Sequence, residues 1–201
     1  MENRILLATN NEGKISELRD MLIGSPIIVA SRADFPEVDE VEETALTFAE
    51  NARLKASGYA RQTGLVALAD DSGLEVAALG GRPGVLSARY GGEGKSFDQK
   101  MRMLLGELAQ IDGGDRQARF VSSIAISDVE GNILIESRGV CNGRITTEPR
   151  GLEGFGYDPL FIPDGYENTF GELPSAVKAK ISHRAAAFRE IIPFLRDYMA
   201  D

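Results

Sequence analysis

The sequence is poor in several residue types, and each shortage excludes a class of protein. Its 201 residues include one cysteine, Cys141, so no disulfide can form within the chain. The disulfide framework of small secreted domains is therefore excluded. Long apolar runs are also missing, and the run that begins near Ile5 covers only about five residues, too short for a signal-peptide core or a membrane span. We expect a cytoplasmic protein that contacts no membrane.

Basic residues are in short supply relative to acidic ones. The chain has 22 lysines and arginines against 31 aspartates and glutamates, a formal net charge of -9. This balance repels DNA and anionic membrane surfaces, so nucleic acid is not an expected partner. A small polyanion stays possible as a ligand, because a few clustered lysines or a metal ion can reverse the field locally.

The hydrophobic pattern predicts strands and helices within one α/β domain over residues 1–201. A segment rich in acids, residues 34–43, is expected to be irregular. We predict strands at 5–8, 65–69 and 160–162, a hairpin of 119–127 and 133–141, and helices from 14, over 44–63, over 96–108 and from about 182, with a bend at Pro193.

The first candidate for a functional role lies between a predicted strand and a predicted helix. Its residues are Thr9, Asn10, Asn11, Glu12, Gly13 and Lys14. Backbone N–H groups at a helix N-terminus together with one lysine suit a phosphate chain. The glycine pattern and the Lys-Ser/Thr ending of a P-loop are missing. Taken alone, the segment is better explained as a plain strand-to-helix turn with an asparagine cap.

Two adjacent carboxylates, Asp70 and Asp71, follow the predicted strand 65–69 and precede Ser72 and Gly73. Ligands of open α/β sheets gather at the carboxyl ends of strands, and carboxylate oxygens are what Mg²⁺ prefers. The alternative is a simple Asp-Ser-Gly turn. Glu43, at the end of the acidic segment, is either a further metal ligand or a solvated charge.

Asn51 and Lys55 are spaced four residues apart on a predicted helix and therefore share a face. They could present an amide and an ammonium to a phosphate. Alternatively, Lys55 pairs with Glu50 or Asn51 at the surface.

Phe155 lies between two glycines in a glycine-rich loop, with Tyr157 and Asp158 close behind. Glycines let a backbone approach a ligand closely, and the ring offers a face on which a base can stack. Packing in the core is the alternative for this phenylalanine.

The only histidine, His183, stands beside Arg184 near a predicted helix start, with Lys178 upstream. A 6-keto purine presents an acceptor oxygen where adenine presents an amino group, so donors favour the oxidised base. A histidine and an arginine near a helix start are also common surface residues.

Seven short motifs, taken in order between residue 5 and about residue 188, strongly resemble the inosine triphosphate pyrophosphatase family. They are Thr9-Asn10-Asn11-Glu12-Gly13-Lys14, Glu42-Glu43-Thr44, Glu50-Asn51-Ala52-Arg53-Leu54-Lys55, Ala69-Asp70-Asp71-Ser72-Gly73-Leu74, Gly81-Arg82-Pro83-Gly84, Gly154-Phe155-Gly156-Tyr157-Asp158-Pro159 and Ile181-Ser182-His183-Arg184.

The resemblance implies an elongated, two-lobed α/β fold around a long mixed β-sheet with flanking helices, a nucleotide cleft between the lobes, and a homodimer. The implied activity is Mg²⁺-dependent hydrolysis of dITP, ITP, XTP or dXTP to the monophosphate and pyrophosphate, which keeps these nucleotides out of DNA and RNA.

Site residues carry over by the same resemblance. Glu43 and Asp71 are implied metal ligands, and Asp71 is the implied catalytic residue. The implied substrate-binding residues are Thr9, Asn10, Asn11, Glu12, Gly13, Lys14, Lys55, Ser72, Phe155, Gly156, Tyr157, Asp158, Lys178, His183 and Arg184.

Three other functions remain as alternatives. An enzyme resembling the Maf-like pyrophosphatases would act on modified pyrimidines, which the donors His183 and Arg184 disfavour. A nucleotide sensor would keep the binding residues without turnover, and a nucleic-acid-binding protein conflicts with the net charge of -9. The sequence leaves open the preference between inosine and xanthosine nucleotides and whether Asp70 shares the metal.

Overall fold

The short strand β1 lies inside a six-stranded sheet with the order β2-β1-β3-β4-β5-β6. The computed structural model describes residues 3–111 and 113–199. The strands are β1 (Arg4–Leu7), β2 (Ile28–Ser31), β3 (Val66–Val76), β4 (Gln117–Ser127), β5 (Ile133–Ile145) and β6 (Phe161–Pro163). The α-helices are α1 (Glu12–Met21), α2 (Phe48–Thr63), α3 (Phe97–Leu108), α4 (Ser175–Ile181) and α5 (His183–Tyr198).

The sheet is mixed, as the family resemblance implied. β1 pairs in parallel with both β2 and β3. β4 and β5 are neighbours joined by the loop 128–132, a connection short enough only for an antiparallel hairpin. β5 and β6 are also antiparallel, with Ile145 opposite Phe161. The predicted hairpin is therefore confirmed, and both of its strands are longer than expected.

Contacts within the chain divide it into two compact units. The first unit contains residues up to 71, 122–139 and those from 184 onward; the second contains 72–121 and 140–183. No helix in the described part of the chain is long and apolar enough to cross a membrane. The single domain over residues 1–201 stays a prediction.

In the first unit, β1 is buried on both faces, as is typical of a parallel strand. Ile5 and Leu7 belong to a core cluster that includes residues of α1 and α5, whereas Leu6 and Ala8 belong to a cluster that includes residues of α2. Because side chains alternate along a strand, one short apolar run supplies two cores. Helices thus flank this part of the sheet.

In the second unit, one core cluster combines residues of β3, α3, β4, β5 and β6. Its centre is aromatic: the ring centroids of Phe120 and Phe161 are 4.6 Å apart, and those of Phe161 and Phe170 are 5.5 Å apart. These large buried rings supply much of the apolar area that stabilises the unit.

Several predicted helix boundaries need correction. α1 begins at Glu12, not at 14, because the side chain of Asn11 caps the helix by accepting the backbone N–H of Lys14. α2 begins at Phe48, not at 44, since Thr47 is its cap, and it ends as predicted at Gly64 in the left-handed conformation, φ 67°. α5 begins at His183, as predicted, and continues through Pro193, while the short helix α4 before it was not predicted.

The prediction of a strand ending near residue 69 was wrong. β3 runs to Val76, so Asp70, Asp71 and Ser72 lie within a strand and not in a loop after it. Leu74 and Val76 are fully buried in the core of the second unit, and this second apolar segment extends the strand past the polar residues. Within the acidic segment 34–43, by contrast, residues 35–43 have no helix or strand, as expected, while Asp34 ends a short 3₁₀ helix (Arg32–Asp34).

Candidate active site

The start of α1 places the first candidate residues. Thr9 accepts a hydrogen bond from the backbone N–H of Asn11 at 3.2 Å, and Asn11 accepts that of Lys14 at 3.1 Å. Asn10 and Glu12 are exposed, and Glu12, Gly13 and Lys14 form the first helical turn. Glu12 and Gly13 therefore belong to the helix and not to the loop before it, and Asn11 is the predicted asparagine cap. The first N–H groups of the helix lack intrahelical acceptors, which suits an anion.

Both carboxylate oxygens of Asp70 accept hydrogen bonds from other side chains. Its Oδ2 lies 2.8 Å from Nζ of Lys14 and 3.2 Å from Nη2 of Arg184, and its Oδ1 accepts the hydroxyl of Ser122. Burial alone would raise the pKa of this carboxyl, but Arg184, Lys14 and Ser122 hold it well below its usual value. Asp70 is therefore ionised, and its oxygens are engaged by protein donors.

Arg184 is itself buried, with 1% of its surface exposed. It bonds Asp70 and also forms an ion pair with Glu17, a residue of α1 that the sequence analysis did not single out. Burial opposes the charge of Arg184, yet Asp70 and Glu17 raise its pKa above the usual value. A spacing of three residues between Lys14 and Glu17 puts both on one helix face and is the signal that could have identified Glu17.

Asp71 has a different environment from its neighbour. Its Oδ1 accepts a hydrogen bond from Nζ of Lys55 at 3.1 Å, while its Oδ2 is buried and has no hydrogen-bond partner among residues 3–111 and 113–199. Burial raises the pKa of Asp71, and Lys55 and Lys14 offset only part of this rise. A buried carboxylate oxygen without a donor is suited to accept a proton or bind a cation.

Lys55 joins Asp71 to the acidic segment. Its ammonium donates to Oε1 of Glu43 at 2.8 Å, to Oδ1 of Asp71 at 3.1 Å and to the backbone oxygen of Asp70 at 2.9 Å. Burial would lower the pKa of Lys55, but Asp71 and Glu43 raise it above its usual value. Lys55 therefore does not pair with Glu50 at the surface, and Asn51 bonds the backbone of Ala45 instead.

The pair Glu43 and Asp71 meets the chemical requirements of a Mg²⁺ site. In the described part of the chain no three histidine, cysteine, aspartate or glutamate side chains form a metal cluster. Mg²⁺ commonly uses only one or two carboxylates and completes its coordination with water and substrate phosphates. The Oδ2 of Asp71, which accepts no hydrogen bond from the described residues, fits that pattern, and Lys55 bonds both Glu43 and Asp71 and so keeps the two carboxylates near each other.

The second unit holds the aromatic candidates. Asp158, 2% exposed, accepts the backbone N–H of Phe155 at 2.8 Å and the ammonium of Lys178 at 2.5 Å. That ammonium lies 4.4 Å from the centroid of the half-buried Phe155 ring, a cation–π distance. A Cβ at Gly154, φ 74°, would collide with Oδ2 of Asp158, so glycine is required there. Three predicted residues are thus assembled.

Other predicted residues of this unit have structural partners. Tyr157 is 2% exposed and donates its hydroxyl to the backbone oxygen of Ser87 at 3.1 Å, so its ring belongs to the core. A Cβ built at Gly156 would stand 3.5 Å from the ring of Phe97, an ordinary packing distance. His183 stacks on Phe120, with ring centroids 4.8 Å apart and an interplanar angle of 15°.

Two further predicted residues, Ser72 and Arg184, belong to different units. Ser72 is the first residue of β3 that belongs to the second unit, while Asp71 belongs to the first. Arg184 was predicted, with His183, to contact the nucleoside. It belongs to the first unit, where it bonds the carboxylates of Asp70 and Glu17. The structure thus brings Lys14, Asp70 and Arg184 together with the unpredicted Glu17 and Ser122. It also brings Lys55 together with Glu43 and Asp71.

A mixed α/β sheet whose strand β3 carries paired carboxylates, with two lysines bonded to them, defines an α/β protein suited to phosphate chemistry. The chain matches the Ham1 family over residues 5–194 and belongs to that family.

This chain is similar to known proteins over nearly its full length. A dITP/XTP pyrophosphatase of Prochlorococcus marinus is 46% identical over 193 residues, covering 96% of this chain and 92% of the relative. A dITP/XTP pyrophosphatase of Bacillus licheniformis is 44% identical over 191 residues, 95% and 97% of the two chains. The structure of a HAM1 protein from Coxiella burnetii matches with a TM-score of 0.88 and 40% identity, covering 96% and 98%.

Proposed function

We propose that this chain hydrolyses non-standard purine nucleoside triphosphates, dITP, ITP, XTP or dXTP, to the nucleoside monophosphate and pyrophosphate. The observation that carries the proposal is the buried Oδ2 of Asp71, which lacks a hydrogen-bond partner among the described residues while Lys55 holds the other oxygen. Similarity to proteins named dITP/XTP pyrophosphatase supports the substrate class.

The phosphate chain is assigned to the first unit. Lys14 and Lys55 supply the ammonium groups, and the N-terminus of α1, with Thr9 and Asn11 shaping the turn, supplies backbone N–H donors. Lys14 is held by Asp70 at 2.8 Å, so a buried carboxylate fixes its position. Preorganised positive groups of this kind stabilise the charge that develops on the leaving pyrophosphate.

Asp71 is the proposed general base. A water molecule attacks the α-phosphorus and loses a proton to the carboxylate of Asp71, while the bond between the α-phosphorus and the bridging oxygen breaks and that oxygen leaves with the pyrophosphate. Because burial raises its pKa, Asp71 is a stronger base than an exposed carboxylate. Glu43 and Asp71 would hold Mg²⁺. When bound, Mg²⁺ neutralises phosphate charge and polarises the phosphoryl group.

The base is assigned to residues of the second unit. Phe155 offers a half-buried ring, and Asp158 fixes the ammonium of Lys178 beside that ring. A fixed donor favours a 6-keto purine, whose oxygen accepts, over adenine, whose amino group leaves the donor without an acceptor. His183 is also assigned to the binding of the base. We further propose that the enzyme is a cytoplasmic homodimer.

The experiment measures pyrophosphate release from inosine, xanthosine, adenosine and guanosine triphosphates with Mg²⁺, and again with a chelator. We expect strong preference for the first two nucleotides over adenosine triphosphate, which lacks the 6-keto oxygen, and loss of turnover both with the chelator and in Asp71→Asn. Equal turnover of all four would remove the base assignment. Absence of turnover with retained nucleotide binding would favour a sensor instead.

A further inference from the structure

The acidic segment that carries Glu43 is bound along α2 by a series of side chains. We name residues 38–45 the acidic strap. Gln62 bonds the backbone of Asp39, with Oε1 accepting its N–H at 2.9 Å and Nε2 donating to its carbonyl at 3.3 Å. Further along, the hydroxyl of Tyr59 accepts the N–H of Val41 at 3.2 Å. Both bonds fix strap backbone that precedes Glu43.

The remaining bonds continue the same register. Lys55 donates to the carboxylate of Glu43 at 2.8 Å, and Asn51 bonds the N–H and carbonyl of Ala45 at 2.9 and 3.4 Å. Every second residue of the strap, 39, 41, 43 and 45, therefore bonds α2. Their partners on the helix are residues 62, 59, 55 and 51 in that order, so the strap runs antiparallel to the helix. Two extended residues span about 6.6 Å and one helical turn about 5.4 Å, so the two repeats nearly match.

Gly58 allows the strap to approach the helix closely. A Cβ built at Gly58 would stand 2.6 Å from Cγ2 of Val41, which is closer than carbon atoms can pack. Glycine inside a helix lowers helix stability, and its presence in α2 is explained by this contact. Arg32 holds the beginning of the strap: it donates to the backbone oxygen of Val38 at 2.9 Å and lies 5.1 Å from the centroid of the Tyr59 ring.

We propose that Gly58, Tyr59 and Gln62 are positioning residues for the reaction. They act through the acidic strap, because their contacts set where its backbone lies and therefore where the Glu43 carboxylate stands. The inference rests on the proposed function, in which Glu43 helps to hold Mg²⁺. Tyr59 and Gln62 bond the backbone of the strap, and Gly58 gives it room, so their effect should reach the reaction through Glu43, as altered metal affinity.

The first test compares two glycine-to-alanine substitutions inside helices. Gly58→Ala forces Val41 away, whereas Gly106→Ala in α3 is a matched control, because a Cβ there meets no atom within 4 Å. Both changes favour the helix itself. A purely structural role of Gly58 predicts that the half-saturating Mg²⁺ concentration stays unchanged in both variants, even if the collision with Val41 lowers stability. We expect Gly58→Ala to raise the half-saturating Mg²⁺ concentration by about fivefold, the loss of one well-placed interaction, with Gly106→Ala unchanged.

The second test removes one hydroxyl. Tyr59→Phe keeps the buried ring and loses the bond to Val41, while Ser57→Ala, on the same helix, loses a bond of 2.7 Å to the backbone oxygen of Gly131 and serves as control. Hydrogen exchange of the strap peptide should accelerate in Tyr59→Phe and not in Ser57→Ala. In a Glu43→Gln background, Tyr59→Phe should raise the half-saturating Mg²⁺ concentration no further.

The outcomes separate the inference from the proposed function. A wild-type protein without Mg²⁺-dependent pyrophosphate release overturns the proposed function and the inference with it. An active wild type whose Mg²⁺ dependence is the same in Gly58→Ala and Tyr59→Phe overturns the inference alone. Equal strap exchange in Tyr59→Phe and Ser57→Ala also overturns it, whatever the activity.

Discussion

Lys55 donates its ammonium to Oδ1 of Asp71 at 3.1 Å and at the same time to Glu43 at 2.8 Å. This buried cation keeps two carboxylates together that would otherwise repel each other. Removing it should therefore affect both catalysis and stability.

Replacing Lys55 by methionine keeps the length of the side chain and removes its charge. We expect turnover to fall by about a hundredfold or more, since one preorganised positive group is lost, and the protein to become less stable. Lys100→Met is the control, because Lys100 is equally buried and its ammonium bonds the backbone oxygen of Ala88 and lies 4.5 Å from the centroid of the Phe97 ring. Steady-state rates and urea unfolding of both variants test this; near-normal turnover of Lys55→Met would refute it.

The adjacent acids Asp70 and Asp71 should respond to amidation with opposite changes in stability. Asp70→Asn breaks a buried ion pair with Lys14 and Arg184 and should cost about 3–5 kcal/mol in the free energy of unfolding at pH 7. Asp71→Asn removes a carboxylate whose ionisation burial opposes, so it should leave stability unchanged or raise it. Urea unfolding at pH 7 compares the two, and equal losses would contradict the assignment of environments.

The stabilisation by Asp70 should also depend on pH in a defined direction. Its pKa is lowered on folding, so its contribution is complete well above the ordinary value of 3.8 and is lost as the pH falls through the lower folded value. The difference in unfolding free energy between wild type and Asp70→Asn should therefore shrink below about pH 4. A difference that stays constant from pH 7 to pH 3 would contradict this.

Local signals in the sequence were sufficient for much of the fold. The cap Gly64 and the hairpin around residues 128–132 follow from short-range chemistry, and both are confirmed. The long strand β3 was missed because Asp70 to Gly73 reads as a turn, and only burial of Leu74 and Val76 in a second core keeps that segment extended. Local patterns carry no information on such distant packing.

Candidate residues were found more easily than their partners. Lys55 and Asp71 are 16 residues apart and Arg184 and Asp70 are 114 apart, so only the folded sheet brings them together. The sequence therefore indicated which residues carry charge near a site, but it could not assign Arg184 to Asp70 and Glu17. The strap contacts of Tyr59 and Gln62 were missed for the same reason.

Lys178 should control the selection of the base. Lys178→Met removes the donor beside the Phe155 ring, and we expect the preference for inosine over adenosine triphosphate, as a ratio of kcat/KM, to fall by about tenfold or more. Phe155→Leu, which removes the ring face and keeps the donor, should weaken binding of all purines alike. Competition assays with both nucleotides measure the ratio, and an unchanged ratio in Lys178→Met would exclude this role.

Cys141 should be almost inert in the native protein. The residue is 7% exposed, and burial, with smaller contributions from Asp164 and Asp158, raises the pKa of its thiol from 9.0 to about 12. Only the thiolate is nucleophilic, so this rise in the pKa of Cys141 lowers the fraction of thiolate at pH 8 by about a thousandfold.

Mass spectrometry after iodoacetamide treatment at pH 8 tests this directly. Native protein should stay unmodified and fully active over a time in which protein unfolded in urea is alkylated at Cys141 completely. The unfolded sample controls for reagent quality, since unfolding exposes the thiol and restores its ordinary pKa. Rapid modification of the native protein would show that the thiol is accessible, and it would contradict the burial of Cys141 in the core of the second unit.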